Sequence, residues 1–119
     1  DIRQIQLAKA AVCAGIQTLL KEAGIRPEKG DHFYIAGGFG HYMDLESAAA
    51  IGLYPPALAA AEAHVIGNAA LSGAVLLLLD GGAQERLDEI RRCAREIPLS
   101  GNSGFSNLYV ENIIFEADD

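Results

Sequence analysis

Basic residues are scarce in this chain. There are 9 Lys and Arg against 16 Asp and Glu, for a formal charge of −7 and a pI near 4.8. No Lys/Arg cluster offsets the acidity locally. A nucleic-acid surface, which needs a basic face to displace counterions from phosphate, is therefore excluded. Long apolar runs are missing as well. The longest, Ala69 to Leu79, is too short to span a bilayer and holds Ser72 and Gly73, so it reads as a buried helix rather than a membrane segment. Cysteine is nearly absent: Cys13 and Cys93 lie far apart, each inside a helical pattern, and neither belongs to a Cys-x-x-Cys pair. That spacing argues against metal, redox or iron–sulfur work and for buried thiols packing as small hydrophobes. No charged-then-apolar leader opens the sequence. These absences together predict a cytoplasmic protein without nucleic-acid or membrane partners.

Half of the 119 residues are apolar, enough for one domain with a sizeable core. The chain opens at Asp1, without methionine, directly into a helical pattern, and reads as a trimmed part of something longer. Any activity needing two lobes would be incomplete in it.

The organising stretch is His32-Phe-Tyr-Ile-Ala-Gly-Gly-Phe-Gly-His-Tyr-Met-Asp44. Bulky residues (Phe33, Tyr34, Ile35) predict a short strand, Gly37, Gly38 and Gly40 a turn, and Asp44 the entry to a helix. Glycines at the carboxyl end of a strand bring bare backbone amides to the edge where open α/β sheets bind ligands. The turn is therefore a candidate cradle for the nucleoside or phosphate part of a nucleotide. Glycine is also the commonest way simply to end a strand, and the motif alone leaves both readings open.

Before this stretch, Ile5, Ala8, Val12, Ile16, Leu19 and Leu20 mark a helix from Asp1 to Gly24, apolar enough elsewhere to be covered on more than one side. Gly24 stops it, and Arg26 to Asp31 is a polar connector. After the turn, Asp44 is the expected N-cap of a helix from Leu45 to Ile51, ended by Gly52 and Tyr54-Pro-Pro56. Ala57 to Ala63 is a helical turn or loop, and His64-Val-Ile66 a second strand. That strand runs through Gly67-Asn68 into the Ala69 helix, repeating the strand–glycine–helix logic of the first junction. Asn68 can cap the helix, and helix amino termini favour anions; a tight helix–sheet contact without ligand explains the same small residues. On neighbouring parallel strands the two junctions would face the same crevice, which favours a nucleotide cleft. Asp80-Gly-Gly82 breaks the helical run, and Ala83 to Ala94 resumes it with Leu87, Ile90 and Cys93 inward and Glu85, Arg86, Asp88, Glu89, Arg91 and Arg92 outward. Glu96-Ile-Pro-Leu99 is expected as a last edge strand, because Pro98 cannot donate to a ladder. Phe105 to Phe115 fits a helix, and Asp118-Asp119 a solvated tail.

Among single residues, His41 beside the turn is either a ligand contact or an idle loop histidine, and His32 and His64 are polar strand ends. A zinc site from His41, Asp44 and His64 has no short-spaced ligand pair behind it. Ser72 and Ser100 have no neighbouring His and acid, so nucleophilic catalysis is not indicated.

Taken in order, Leu20-x-Glu-Ala-Gly-Ile25, Ile35-Ala-Gly-Gly-Phe-Gly40, Asp44-Leu-Glu-Ser-Ala-x-Ala-Ile-Gly-Leu53 and Val65-Ile-Gly-Asn-Ala-Ala70 resemble the carboxy-terminal domain of the reductive activators of corrinoid proteins. The resemblance covers essentially the whole chain. It implies an α/β, ribonuclease-H-like second lobe of an actin-like ATPase, with a small, mainly parallel sheet flanked by helices. It also implies a longer protein with a [2Fe-2S] domain of ferredoxin type at its amino terminus, whose ATPase half takes ATP/ADP with Mg2+ completed by another lobe. The implied activity is ATP-dependent return of a Co(II) corrinoid protein to Co(I) for methyl transfer. By position, Gly37, Gly38, Phe39 and Gly40 inherit the adenosine motif, with Phe39 or Tyr42 as apolar cover and Gly67 and Asn68 at the second junction. Lys9, on a helix that borders the nucleotide cleft in that superfamily, is by default a solvated lysine, with a position facing phosphate as the candidate binding role. The metal-binding expected of the full-length protein belongs to magnesium and the cluster; this stretch supplies neither a metal ligand nor a catalytic residue and alone should be inactive. Implied partners are the corrinoid protein, nucleotide and a second copy in a homodimer. Two alternatives stand beside this reading: a docking or dimerisation module with a vestigial nucleotide site, and an activator of another metalloenzyme.

Overall fold

A computed structural model describes residues 1–115, and at Phe39 the backbone alone. The expected tail at Asp118-Asp119 lies outside the described residues. The elements run α1 (Ile2–Ala23), β1 (His32–Ala36), α2 (Gly38–His41), α3 (Leu45–Ala50), a 3-10 turn (Pro56–Ala60), β2 (Glu62–Gly67), α4 (Ala69–Leu79), α5 (Ala83–Cys93) and α6 (Ser103–Glu111). β1 and β2 form a two-stranded sheet. Glu62 N–H donates to Asp31 O at one end (2.8 Å) and Gly37 N–H to Gly67 O at the other (2.6 Å), so the strands run parallel. A parallel pair needs a crossover, here the segment carrying α2, α3 and the 3-10 turn. The α/β class and the small parallel sheet are as the sequence leads one to expect.

The chain divides into two compact units. One gathers Asp1–Phe33, Met43–Glu62 and the segment from Pro98; the other gathers Tyr34–Tyr42 and Ala63–Ile97.

In the first unit α1 is the spine. The Asp1 carboxylate accepts from Arg3 N–H (3.0 Å). Gly24 ends the helix at φ 65. Gly24 N–H bonds to Lys21 O and Ile25 N–H to Leu20 O, the paired closure that a left-handed glycine permits. α6 packs along α1. The stripe that α1 buries is Lys9, Ala10, Cys13, Ala14, Gly15 and Thr18. This corrects the expected face: Ile5, Val12 and Leu19 are exposed. Alanines at 10 and 14 remove the bulk that would hold a neighbouring helix away, so small side chains rather than large ones make the contact. Two long-range bonds fasten the segment after α6 to α1: Asn112 Nδ2 donates to Gln17 Oε1 and Lys9 Nζ to Ile114 O, both 2.8 Å. Phe33 and Tyr54 meet edge to face at 5.5 Å, and Tyr54 Oη donates to Met43 Sδ. Partial burial pushes the Tyr54 phenol up.

In the second unit the ends of β1 and β2 feed α2 and α4, and α5 packs on α4. Asp80 organises the break between α4 and α5: its carboxylate accepts from Gly82 N–H (2.9 Å) and pairs with Arg86 at 2.6 Å. Arg86 and the Gly82 amide hold the Asp80 carboxyl below the usual aspartate range.

Other expectations change here. α4 is not buried; none of its residues is. On α5, Ile90 is exposed instead of inward, and so is Cys93, whereas Cys13 is buried as expected. Residues 94–99 form no strand, since Pro98 lacks a donor and neither described strand pairs with the segment. α6 starts at Ser103 rather than Phe105 because Asn102 caps it, its side chain accepting from Phe105 N–H at 3.0 Å. The buried apolar core among the described residues is correspondingly small: Ala10, Cys13, Ala14, Ala48, Leu58 and Ala83.

Asp44 caps α3 as expected, accepting from Ser47 N–H (3.2 Å) and from its hydroxyl. The Ser47 bonds lower the Asp44 carboxyl below the usual aspartate range. A depressed folded value means that the cap stabilises α3 above the ordinary aspartate pKa and is lost as pH falls through the lowered one. A carbon-detected titration should therefore show Asp44 protonating at lower pH than a free aspartate, with the helical shifts of Leu45–Ala50 fading in the same step. Asp44→Asn, which keeps an acceptor, should remove that step.

Candidate functional site

The candidate site grows out of the carboxyl ends of the two strands in the second unit. Gly37 follows β1 at φ 99, ψ 163, a conformation that side chains rarely adopt. Its amide is spent on Gly67 O, at 2.6 Å. Gly67 ends β2 at φ 66. One hydrogen bond thus joins the two glycine junctions, and the structure brings together the pair that the sequence set on separate strands.

A Cβ built on Gly37, Gly38 or Gly67 meets nothing within 4 Å, so their hydrogens face open space. Gly40 differs: it is buried, and a Cβ there would stand 2.6 Å from Ile35 Cγ2. Gly40 lets α2 fold back onto the strand, while Gly37, Gly38 and Gly67 leave bare backbone at the sheet end. Three glycines in four residues were legible as one motif, but their division of labour was not.

Asn68 caps α4 as expected, its Oδ1 accepting from Leu71 N–H at 3.1 Å. Ser72 Oγ donates to Asn68 O. Phe39 lies on α2. Tyr42, just past α2, is 89% exposed and meets the His41 ring edge-on at 5.1 Å. Gly37, Gly38, Phe39, Gly40, Tyr42, Gly67 and Asn68 all belong to the second unit. Lys9 belongs to the first, is buried, donates to Ile114 O at 2.8 Å, and has its ammonium 5.1 Å from the Phe115 ring centre. That ammonium is committed to Ile114 and Phe115.

Two arrangements were not anticipated. α2 is a helical turn where only a loop was expected; four residues are too few to show a period. Tyr34 and His64 stack, ring centres 5.3 Å apart, because parallel pairing sets these alternate positions on one face of the sheet. His32 Nδ1 lies 3.5 Å from Glu62 Oε2. Asp44, of the His41, Asp44 and His64 set, caps α3 through its bonds to Ser47.

Bare glycine backbone at paired parallel strand ends, followed at the second junction by a capped helix, places the chain in the α/β class, whose open sheets bind ligands at their carboxyl ends. The comparisons narrow that class. Residues 1–119 match the family described as the C-terminal domain of RACo, the ASKHA domain, and the chain belongs to that family. It is 36% identical over 115 residues to the corrinoid activation enzyme RamQ of Eubacterium limosum, covering 97% of this chain and 19% of that protein. It is 30% identical over 115 residues to the [Co(II) methylated amine-specific corrinoid protein] reductase of Methanosarcina barkeri, covering 92% of this chain and 20% of that protein. The chain thus spans about a fifth of the length of the curated relatives it matches. Among the described residues no helix is long and apolar enough to cross a membrane.

The two kinds of glycine separate experimentally. Gly40→Ala should lower unfolding free energy by about 1–3 kcal/mol, because Ile35 must move. Gly38→Ala, which meets open space, should stay within about 0.5 kcal/mol. Denaturant unfolding of both variants checks this.

Proposed function

We infer that this chain is the nucleotide-binding half of an ATP-dependent reductive activator that returns a corrinoid protein from Co(II) to Co(I) for methyl transfer. The observation that carries the reading is the Gly37–Gly67 bond between two glycine junctions whose missing side chains leave open backbone. Membership of the ASKHA family and the names of the two relatives support it.

In this reading Gly37, Gly38, Phe39 and Gly40 form the adenosine-side turn. Tyr42 offers an exposed ring as cover, and Gly67 and Asn68 bring the amino terminus of α4 to the same ligand. One observation supports such a group: positions 37, 38 and 67 open onto free space, so a ribose or purine could approach the backbone there without meeting a side chain. Lys9 enters as a support of the fold, since its ammonium is already bonded to Ile114. When bound, ATP with Mg2+ would supply the free energy for an uphill one-electron reduction by favouring one state of a two-state protein. The electron would come from a [2Fe-2S] centre, and both centre and magnesium ligands would lie in polypeptide outside these residues, in a cytoplasmic multidomain protein. Catalytic residues are not assigned to this stretch.

Calorimetry of that longer polypeptide tests the reading. Millimolar ADP with magnesium should raise the melting temperature by mass action. Gly38→Val should abolish the rise while leaving the ligand-free melting temperature unchanged. Absence of any rise, together with a tight complex with a corrinoid protein, would replace this reading by a docking module whose nucleotide site is vestigial.

A further inference from the structure

α4 is built as a buried helix and is not buried. Between Ala69 and Leu79 it has no charged residue, and Ser72 is its one polar side chain. None of its 11 residues is buried. Leu78 and Leu79 are 84% and 81% exposed, and Leu71, Val75, Leu76 and Leu77 are exposed with them. At helical spacing Leu71, Val75 and Leu78 share one stripe, while Leu76 and Leu77 fall on other sides, so the exposure is not that of an ordinary amphipathic face. A Cβ added at Gly73 meets nothing within 4 Å, so the small-residue half is uncovered too. Helices apolar all round belong in protein interiors, and soluble proteins keep apolar patches of this kind covered.

Lipid is a poor occupant. The helix is roughly 16 Å long at about 1.5 Å per residue, half of a hydrocarbon core of about 30 Å. It also lacks the basic polar face of an interfacial helix. Neighbouring α5 presents Glu85, Arg86, Glu89, Arg91 and Arg92 to solvent, a mixed-charge border beside the apolar surface, as expected at the rim of a protein–protein contact.

We propose that α4 is the packing face for further polypeptide of the same protein: an apolar helix or sheet surface from outside these 119 residues. The relatives carry this stretch as 19% and 20% of their length. In such a protein the remaining polypeptide is tethered to α4 at an effective concentration of order millimolar, which outcompetes a second copy at ordinary protein concentrations. The inference rests on this stretch being part of a longer chain and does not depend on the nucleotide reading.

The test is made in the full-length protein that contains the stretch. The photo-crosslinker p-benzoylphenylalanine replaces Leu78, in an equal mixture of 15N-labelled and unlabelled chains. Crosslinks should join chains of one isotope only, reach residues outside positions 1–119, and be independent of protein concentration. Leu78→Asp should lower the full-length melting temperature by more than about 2 °C, whereas Arg92→Gln on exposed α5 should not change it. Crosslinks between isotopes would make a second copy the occupant and overturn the proposal. So would crosslinks returning only to positions 1–119, or no crosslink with an unchanged melting temperature for Leu78→Asp. The ADP response, measured on the same samples, reports the nucleotide reading separately.

Discussion

The hydrogen bond from Gly37 N–H to Gly67 O, at 2.6 Å, is the constraint on which the candidate site depends. It closes the parallel pair at its carboxyl end and brings two chain reversals together. Both participants need positive φ, at 99 and 66, so the bond requires glycine twice for conformation before any ligand is considered. The same requirement strips both reversals of side chains. The turn and the open backbone therefore share one cause: residues that permit the turn are also those that leave the backbone bare.

Gly40 shows that glycine-rich does not mean ligand-facing. Its hydrogen points at Ile35, where a methyl group would meet Cγ2 at 2.6 Å, and its role is to let α2 return onto β1. A motif of three glycines thus contains one packing glycine and two that look outward, and only coordinates assign them. The capping residues have no such ambiguity. Asp44 and Asn68 each satisfy amides in the first turn of a helix that starts one residue later, and local chemistry of that kind is carried by the side chain itself.

That difference explains what the sequence made legible. Elements set by local rules were readable: α1 stopped by Gly24, the two strands, the caps of α3 and α4, and the strand–glycine–helix echo. Burial was not readable, because it depends on what lies opposite in space. Ile5, Val12 and Leu19 recur at helical spacing, yet α1 buries Ala10, Cys13, Ala14 and Thr18 instead. Leu87, Ile90 and Cys93 form an equally regular stripe on α5, and Ile90 and Cys93 face solvent. The segment around Pro98 had strand-forming residues but found no ladder. Lys9 is the clearest case: flanked by alanines on α1 it reads as a phosphate contact or a solvated side chain, and a carbonyl 105 positions away in sequence decides otherwise.

Most of the discrepancies concern burial. The absent strand at residues 94–99 and the helical turn α2 apart, local structure came out much as the residues dictate, whereas large aliphatic side chains are exposed where their pattern calls for burial, on α1, α4 and α5 alike. Half the residues are apolar, yet the buried apolar set among the described residues consists mostly of alanine. Alanine contacts bury little area each, at about 25 cal/mol per Å2, so they set close helix approach more than they drive collapse. A sequence this apolar with so slight a core has hydrophobic surface left to bury. The matched relatives are about five times as long as this stretch, and an apolar surplus of this size is what contact with further polypeptide would bury.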